Sequence, residues 1–148
     1  MSFVKTNISE FTISKRITTL PPFKIIDEKT AVEFLRSLFG SEIVAFEKMY
    51  CLYLDAGNFV VGYALISQGS RASTLCDESL VALYAVQTLA SSVILCHNHP
   101  SGTLFASDSD LELTKQIQGA LKFFRIKVLD HIILTENSFY SMRYNGVM

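Results

Sequence analysis

Apolar and polar positions follow two different rhythms along this chain, and each change of rhythm marks an element. Ala31, Phe34, Leu35 and Leu38 recur at i, i+3, i+4 and i+7, the spacing of one buried helix face. Asp27 or Thr30 stands where that helix needs a cap, and Gly40 stands just past its end at about Phe39. Two strand-like runs follow, Lys48–Leu54 and residues 59–67. Asp55-Ala56-Gly57-Asn58 between them is turn chemistry, so the pair reads as a hairpin. A polar stretch over 68–74 leads to a second helix over 77–90, with Leu80, Leu83, Tyr84 and Val86 as its apolar side. Ser92-Val93-Ile94-Leu95-Cys96 is apolar without alternation, as in a strand covered on both faces. A third helix over 108–124 turns Leu111, Ile117, Leu121 and Phe124 inward. A buried strand, Lys127–Leu134, and a short strand over 140–143 close the chain. Residues 1–24 read as irregular, with a short strand at 11–17 and a break at Pro21-Pro22. Residues 25–148 read as one domain. Strands interleaved with helices predict an α/β fold in three layers, α/β/α, and the hairpin makes the central sheet mixed.

Composition narrows the setting. With 148 residues, 49% of them apolar and 18% charged, the chain can bury a core and is not of disordered type. A net charge of −1 gives no long-range attraction to nucleic acid or to an anionic membrane. No apolar stretch is long enough to span a bilayer, and the first residues lack a signal-peptide profile. Cys51, Cys76 and Cys96 form neither an even framework nor a C-x-x-C pair, which points to a reducing, cytoplasmic setting. Nothing in the chain specifies an oligomeric state.

The chemistry concentrates in Cys96-His97-Asn98-His99-Pro100-Ser101-Gly102, with Ser107 and Asp110 beyond it. In an extended segment residues i and i+2 share a face, so His97 and His99 point together and Asn98 points away. Pro100 ends the strand there. Two imidazoles and the Asp110 carboxylate would leave a fourth position open on a tetrahedral zinc, the pattern of a catalytic rather than a structural site. Asp110 also has a purely structural reading, since Ser107-Asp108-Ser109-Asp110 is a capping box at the start of a helix. Cys96 is on the wrong alternation to join both histidines. A general base is needed as well, and Glu42, Glu47 and Glu78 are the candidates that spacing leaves open. A nucleobase deaminase would need H-x-E and P-C-x-x-C, and neither is present.

His97-x-His99-Pro100 followed by Ser107-x-x-Asp110 resembles the JAMM motif of the JAB/MPN metalloprotease-like domains, and His97-Asn98-His99-Pro100-Ser101-Gly102 resembles the bacterial RadC family in particular. The similarity runs over about residues 42–134. It implies a JAB/MPN fold, like that of cytidine deaminases, with a mixed sheet flanked by helices. It implies zinc held by His97, His99 and Asp110, with Glu47 as the glutamate that deprotonates the zinc water and Ser107 as the serine that stabilises the oxyanion. The implied activity is zinc-dependent hydrolysis of a peptide or isopeptide amide in a protein substrate. Because RadC proteins are commonly labelled DNA repair factors, a DNA-associated module without protease activity is the alternative, one to which the charge lends no support. The chain departs from the family in showing no room for an N-terminal helix-hairpin-helix region. It also has Cys76-Asp77-Glu78 in place of Pro-Arg-Glu, and its loop over 102–106 lacks the usual prolines. Asp130 and His131 match a family segment too, with a supporting rather than a ligating role expected.

Overall fold

In the computed structural model, residues 7–69 and 77–148 are described. The first helix, α1 (Glu28–Phe39), begins as its sequence requires: the Asp27 carboxylate accepts the Thr30 amide at 2.8 Å, and the Thr30 hydroxyl answers to the Asp27 amide at 3.0 Å. Gly40, at φ +55°, turns the chain out of α1 into a 3-10 turn over Gly40–Val44. Strands β1 (Lys48–Leu54) and β2 (Val60–Gln68) form the expected hairpin, with the Asp55 carboxylate accepting the Gly57 and Phe59 amides in the turn. Helix α2 (Glu78–Gln87), strand β3 (Ser92–Asn98), helix α3 (Asp108–Lys122) and strands β4 (Lys127–Leu134) and β5 (Phe139–Ser141) follow.

The sheet order is β2-β1-β3-β4-β5 among the described residues. Only β3 and β4 are parallel, with α3 as their crossover; every other pairing is antiparallel. One face packs against α1, where Leu35 and Phe39 meet Leu52, Ile94, Cys96 and Ile132. The other packs against α2 and α3, where Val81, Ala85, Ile117 and Leu121 meet Cys51, Tyr53, Val93 and Leu95. This is the three-layer α/β/α arrangement with a central mixed sheet. No helix of the described residues is long and apolar enough to cross a membrane.

Three expectations need correction. Residues 11–17 form no strand: they find no ladder partner, and Phe11 and Ile17 stand in solvent. The buried side of α2 is Val81 and Ala85, while Leu83 and Val86 are exposed. Helix α3 ends at Lys122, with Arg125 at φ +59° shortly after, so Phe124 faces outward. The Cys76 position and most of the 68–74 stretch lie outside the described residues.

This topology brings distant chain segments to one end of the sheet. Since β1 runs antiparallel to β3, the start of β1 lies beside the end of β3, with Met49 opposite His97. Since α3 must carry the chain back for a parallel strand, its N-terminus rises from the same end.

Candidate metal centre

Alternation along β3 divides its last polar residues between the two faces of the sheet. Val93, Leu95 and His97 belong to the α2/α3 side, while Ile94, Cys96 and Asn98 belong to the α1 side. Asn98 is fully buried and fully engaged. Its Oδ1 accepts the Lys48 amide at 2.7 Å, and its Nδ2 donates to the Ile43 and Phe46 carbonyls at 2.7 and 2.8 Å. The two peptide groups that flank Glu47 are thereby fastened to the end of β3.

On the opposite side His97, His99 and Asp110 converge. One ligand atom from each lies within 4.8 Å of the others. The two Nε2 atoms are 2.9 Å apart, and the Asp110 oxygens stand 3.2 Å from His97 Nε2 and 3.7 Å from His99 Nε2. The turn after β3 explains the pose of His99. Its carbonyl accepts the Gly102 amide at 3.0 Å, and Gly102, at φ +86°, reverses the chain. The Thr103 carbonyl then returns to the ring, 2.8 Å from Nδ1. A carbonyl only accepts, so Nδ1 carries the proton and His99 Nε2 presents a lone pair to the cluster.

That lone pair faces a second imidazole nitrogen and a carboxylate. The donor set of two imidazoles and one carboxylate, brought within 4.8 Å of one another, suits zinc better than magnesium or calcium. The residues present therefore fit a zinc ion.

Asp110 serves both of its readings at once. Its Oδ2 accepts the Ser107 amide at 2.8 Å, and the Ser107 hydroxyl accepts the Asp110 amide at 3.1 Å, a complete capping box. Its Oδ1 remains toward His97. Burial alone would raise the Asp110 pKa, but the His97 ring and the Ser107 amide and hydroxyl outweigh it and hold the carboxyl well below its usual range. The helix N-terminus favours the same charge.

Glu47 is half-buried just before β1, close enough for His97, His99 and Asp110 to act on its charge. Burial is the largest influence and raises its pKa above the ordinary carboxylate value; the two histidines pull downward and Asp110 upward. The other two glutamates are elsewhere engaged. Glu42 forms an ion pair with the buried Lys48 ammonium, and Glu78 is the first residue of α2. Cys96 points into the α1-side core, where burial drives its thiol pKa well up.

His131 is also fully buried, with Nε2 2.8 Å from His97 Nδ1 and Nδ1 2.6 Å from the Thr114 hydroxyl. Burial, then the neighbouring His97, push its pKa well down. Its neighbour Asp130 ties β4 to β5, accepting the His131 and Arg143 amides at 2.7 and 3.1 Å and the Ser141 hydroxyl at 2.5 Å. Thr114 escapes the sequence reading, although it lies one turn after Asp110 on the stripe that Ile117 and Leu121 continue. The partners of Asn98 and the Thr103 carbonyl carry no sequence signal of their own.

The family described as RadC-like JAB domain matches residues 25–147. The chain is similar to a UPF0758 protein of Flavobacterium johnsoniae, 36% identical over 124 residues, which cover 84% of this chain and 53% of that protein. It is similar to a UPF0758 protein of Finegoldia magna, 37% identical over 121 residues, covering 82% and 53%. A UPF0758 protein of Aquifex aeolicus is 30% identical over 124 residues, covering 84% and 52%. The chain spans about half the length of these curated relatives, and their name states no activity.

Proposed function

The chain belongs to the RadC-like JAB domain family, and on that premise we propose that it is a zinc-dependent hydrolase of the JAMM type, cleaving a peptide or isopeptide amide with water. One observation carries the reading: His97, His99 and the Asp110 carboxylate bring one ligand atom each within 4.8 Å of the others at the end of β3, and the Thr103 carbonyl holds the far side of the His99 ring. His97, His99 and Asp110 would hold the ion. A zinc ion held there would act as a Lewis acid, bringing the pKa of a water toward about 7 and polarising the amide carbonyl. Glu47, whose raised pKa suits it to accept and keep a proton, would take the proton of the attacking water and pass it to the leaving amine. Ser107 accepts the Asp110 amide in the cap through one lone pair, which leaves its hydroxyl proton for the developing oxyanion. The substrate is a peptide or protein, and the thiols suit a reducing compartment, which we take to be the cytoplasm.

Glu47→Gln tests the assignment. The variant is expected to bind zinc as the wild type does and to lose metal-dependent cleavage of a peptide library by at least about a hundredfold, within the usual range for a general base. Full turnover by this variant would remove Glu47 from the mechanism. The competing DNA-associated reading predicts salt-dependent DNA binding instead, for which a net charge of −1 offers no electrostatic ground.

A further inference from the structure

We propose that Thr114 and His131 are positioning residues that fix the tautomer of His97, so that Nε2 is the lone pair offered to the metal. This rests on the reading of His97, His99 and Asp110 as a zinc site.

The series of contacts begins at a backbone carbonyl, whose role is not open to choice. The Asp110 backbone carbonyl can only accept, and the Thr114 hydroxyl lies 2.6 Å from it. The single hydroxyl proton is therefore spent there. Met142 Sδ, at 3.5 Å, is a weaker and more distant acceptor, so at its 2.6 Å contact with His131 Nδ1 Thr114 must accept, and His131 Nδ1 carries a proton. His131 is wholly buried and neither of its nitrogens meets a carboxylate, so the ring stays neutral and its Nε2 is bare. The 2.8 Å contact between His131 Nε2 and His97 Nδ1 then requires the proton on His97. With Nδ1 protonated, the remaining nitrogen, Nε2, faces His99 and Asp110.

Each donor in this series points away from the metal position, and the series ends on Asp110, the residue that also supplies the carboxylate. His99 reaches the same tautomer in one step, because its loop brings back a carbonyl. His97 lies within the sheet, where backbone carbonyls are already used by the ladders, so it needs side chains to reach one. Outer partners of metal-bound histidines act in this way, by holding the ring and its tautomer.

Nitrogen-15 NMR of the imidazole rings, on zinc-free and zinc-loaded protein, tests the tautomers directly. The expected result is a neutral His131 protonated at Nδ1 and a His97 Nδ1 that also carries a proton. A His131 protonated at Nε2 would overturn the proposal. Zinc titration of two variants supplies a second reading. Thr114→Val keeps the shape and loses the hydroxyl, and is expected to weaken zinc binding about ten- to a hundredfold. Thr114→Ser keeps the hydroxyl and is expected to bind close to wild type. The reverse order would mean that Thr114 serves only as packing, and equal affinities would also overturn the proposal. If the wild-type protein takes up no zinc, the hydrolase reading fails on its own, and the ring spectra of the metal-free protein still decide this inference.

Discussion

The two sides of the end of β3 are both polar, one fully and the other largely buried, yet they are wired in opposite senses. On the α1 side, Asn98 matches every donor to an acceptor and every acceptor to a donor, so nothing is left to bind. On the α2/α3 side, protons are drawn outward from His99 to Thr103 and, by our inference, from His97 through His131 to Thr114, leaving acceptors facing acceptors. Burial of polar groups is therefore no mark of function by itself. What separates scaffold from site here is whether the hydrogen-bond accounting closes without a guest.

His99→Ala is the strongest way to break this contrast. Metal analysis should find about one zinc per wild-type chain and none in the variant. In the metal-free state the folding stability should change by only about 1 kcal/mol, the net worth of the lost ring contact. A variant that still binds one zinc tightly would move the site elsewhere. Asn98→Leu should do the converse. It leaves the Lys48 amide and the Ile43 and Phe46 carbonyls without their partner, at roughly 1–3 kcal/mol for each buried group, so urea unfolding should show a loss of ~3 kcal/mol or more. A nearly unchanged midpoint would show that water replaces the amide there. The third effect is confined to acid. Asp110 titrates below the ordinary 3.8 in the folded, metal-free protein, so its stabilising contribution is complete above about that pH and is lost as pH falls through the lower folded value. Asp110→Asn should flatten this acid limb in denaturation measured across pH. An unaltered limb would assign it to other carboxyl groups.

The convergence of His97 and His99 and the larger elements were legible in the sequence for definite physical reasons. The i, i+2 rule fixes the common face of His97 and His99 whatever lies around them, and the apolar spacing in α1 leaves one face to bury. Elsewhere the signal fails. In α2, Leu80 to Val86 are apolar at every position, so periodicity cannot select a face, and the close approach of the sheet selects the small Val81 and Ala85. Residues 11–17 carry a strand-like composition but a strand exists only as a pairing. The choice of Glu47 over Glu42 depended on family resemblance, because it is the β1–β3 register that brings the start of β1 to the histidines, and register is a property of the assembled sheet.

The distances along the chain separate the residues of the proposed site into near and far partners. Asp110 is only thirteen positions after His97, whereas Glu47 is fifty positions before it. Closing the longer loop costs about 1 kcal/mol more chain entropy, and it also requires β1 to be in place beside β3. On the proposed reading, the carboxylate that would join the histidines is near them in the chain, while the proton acceptor reaches the site only through the pairing of β1 with β3.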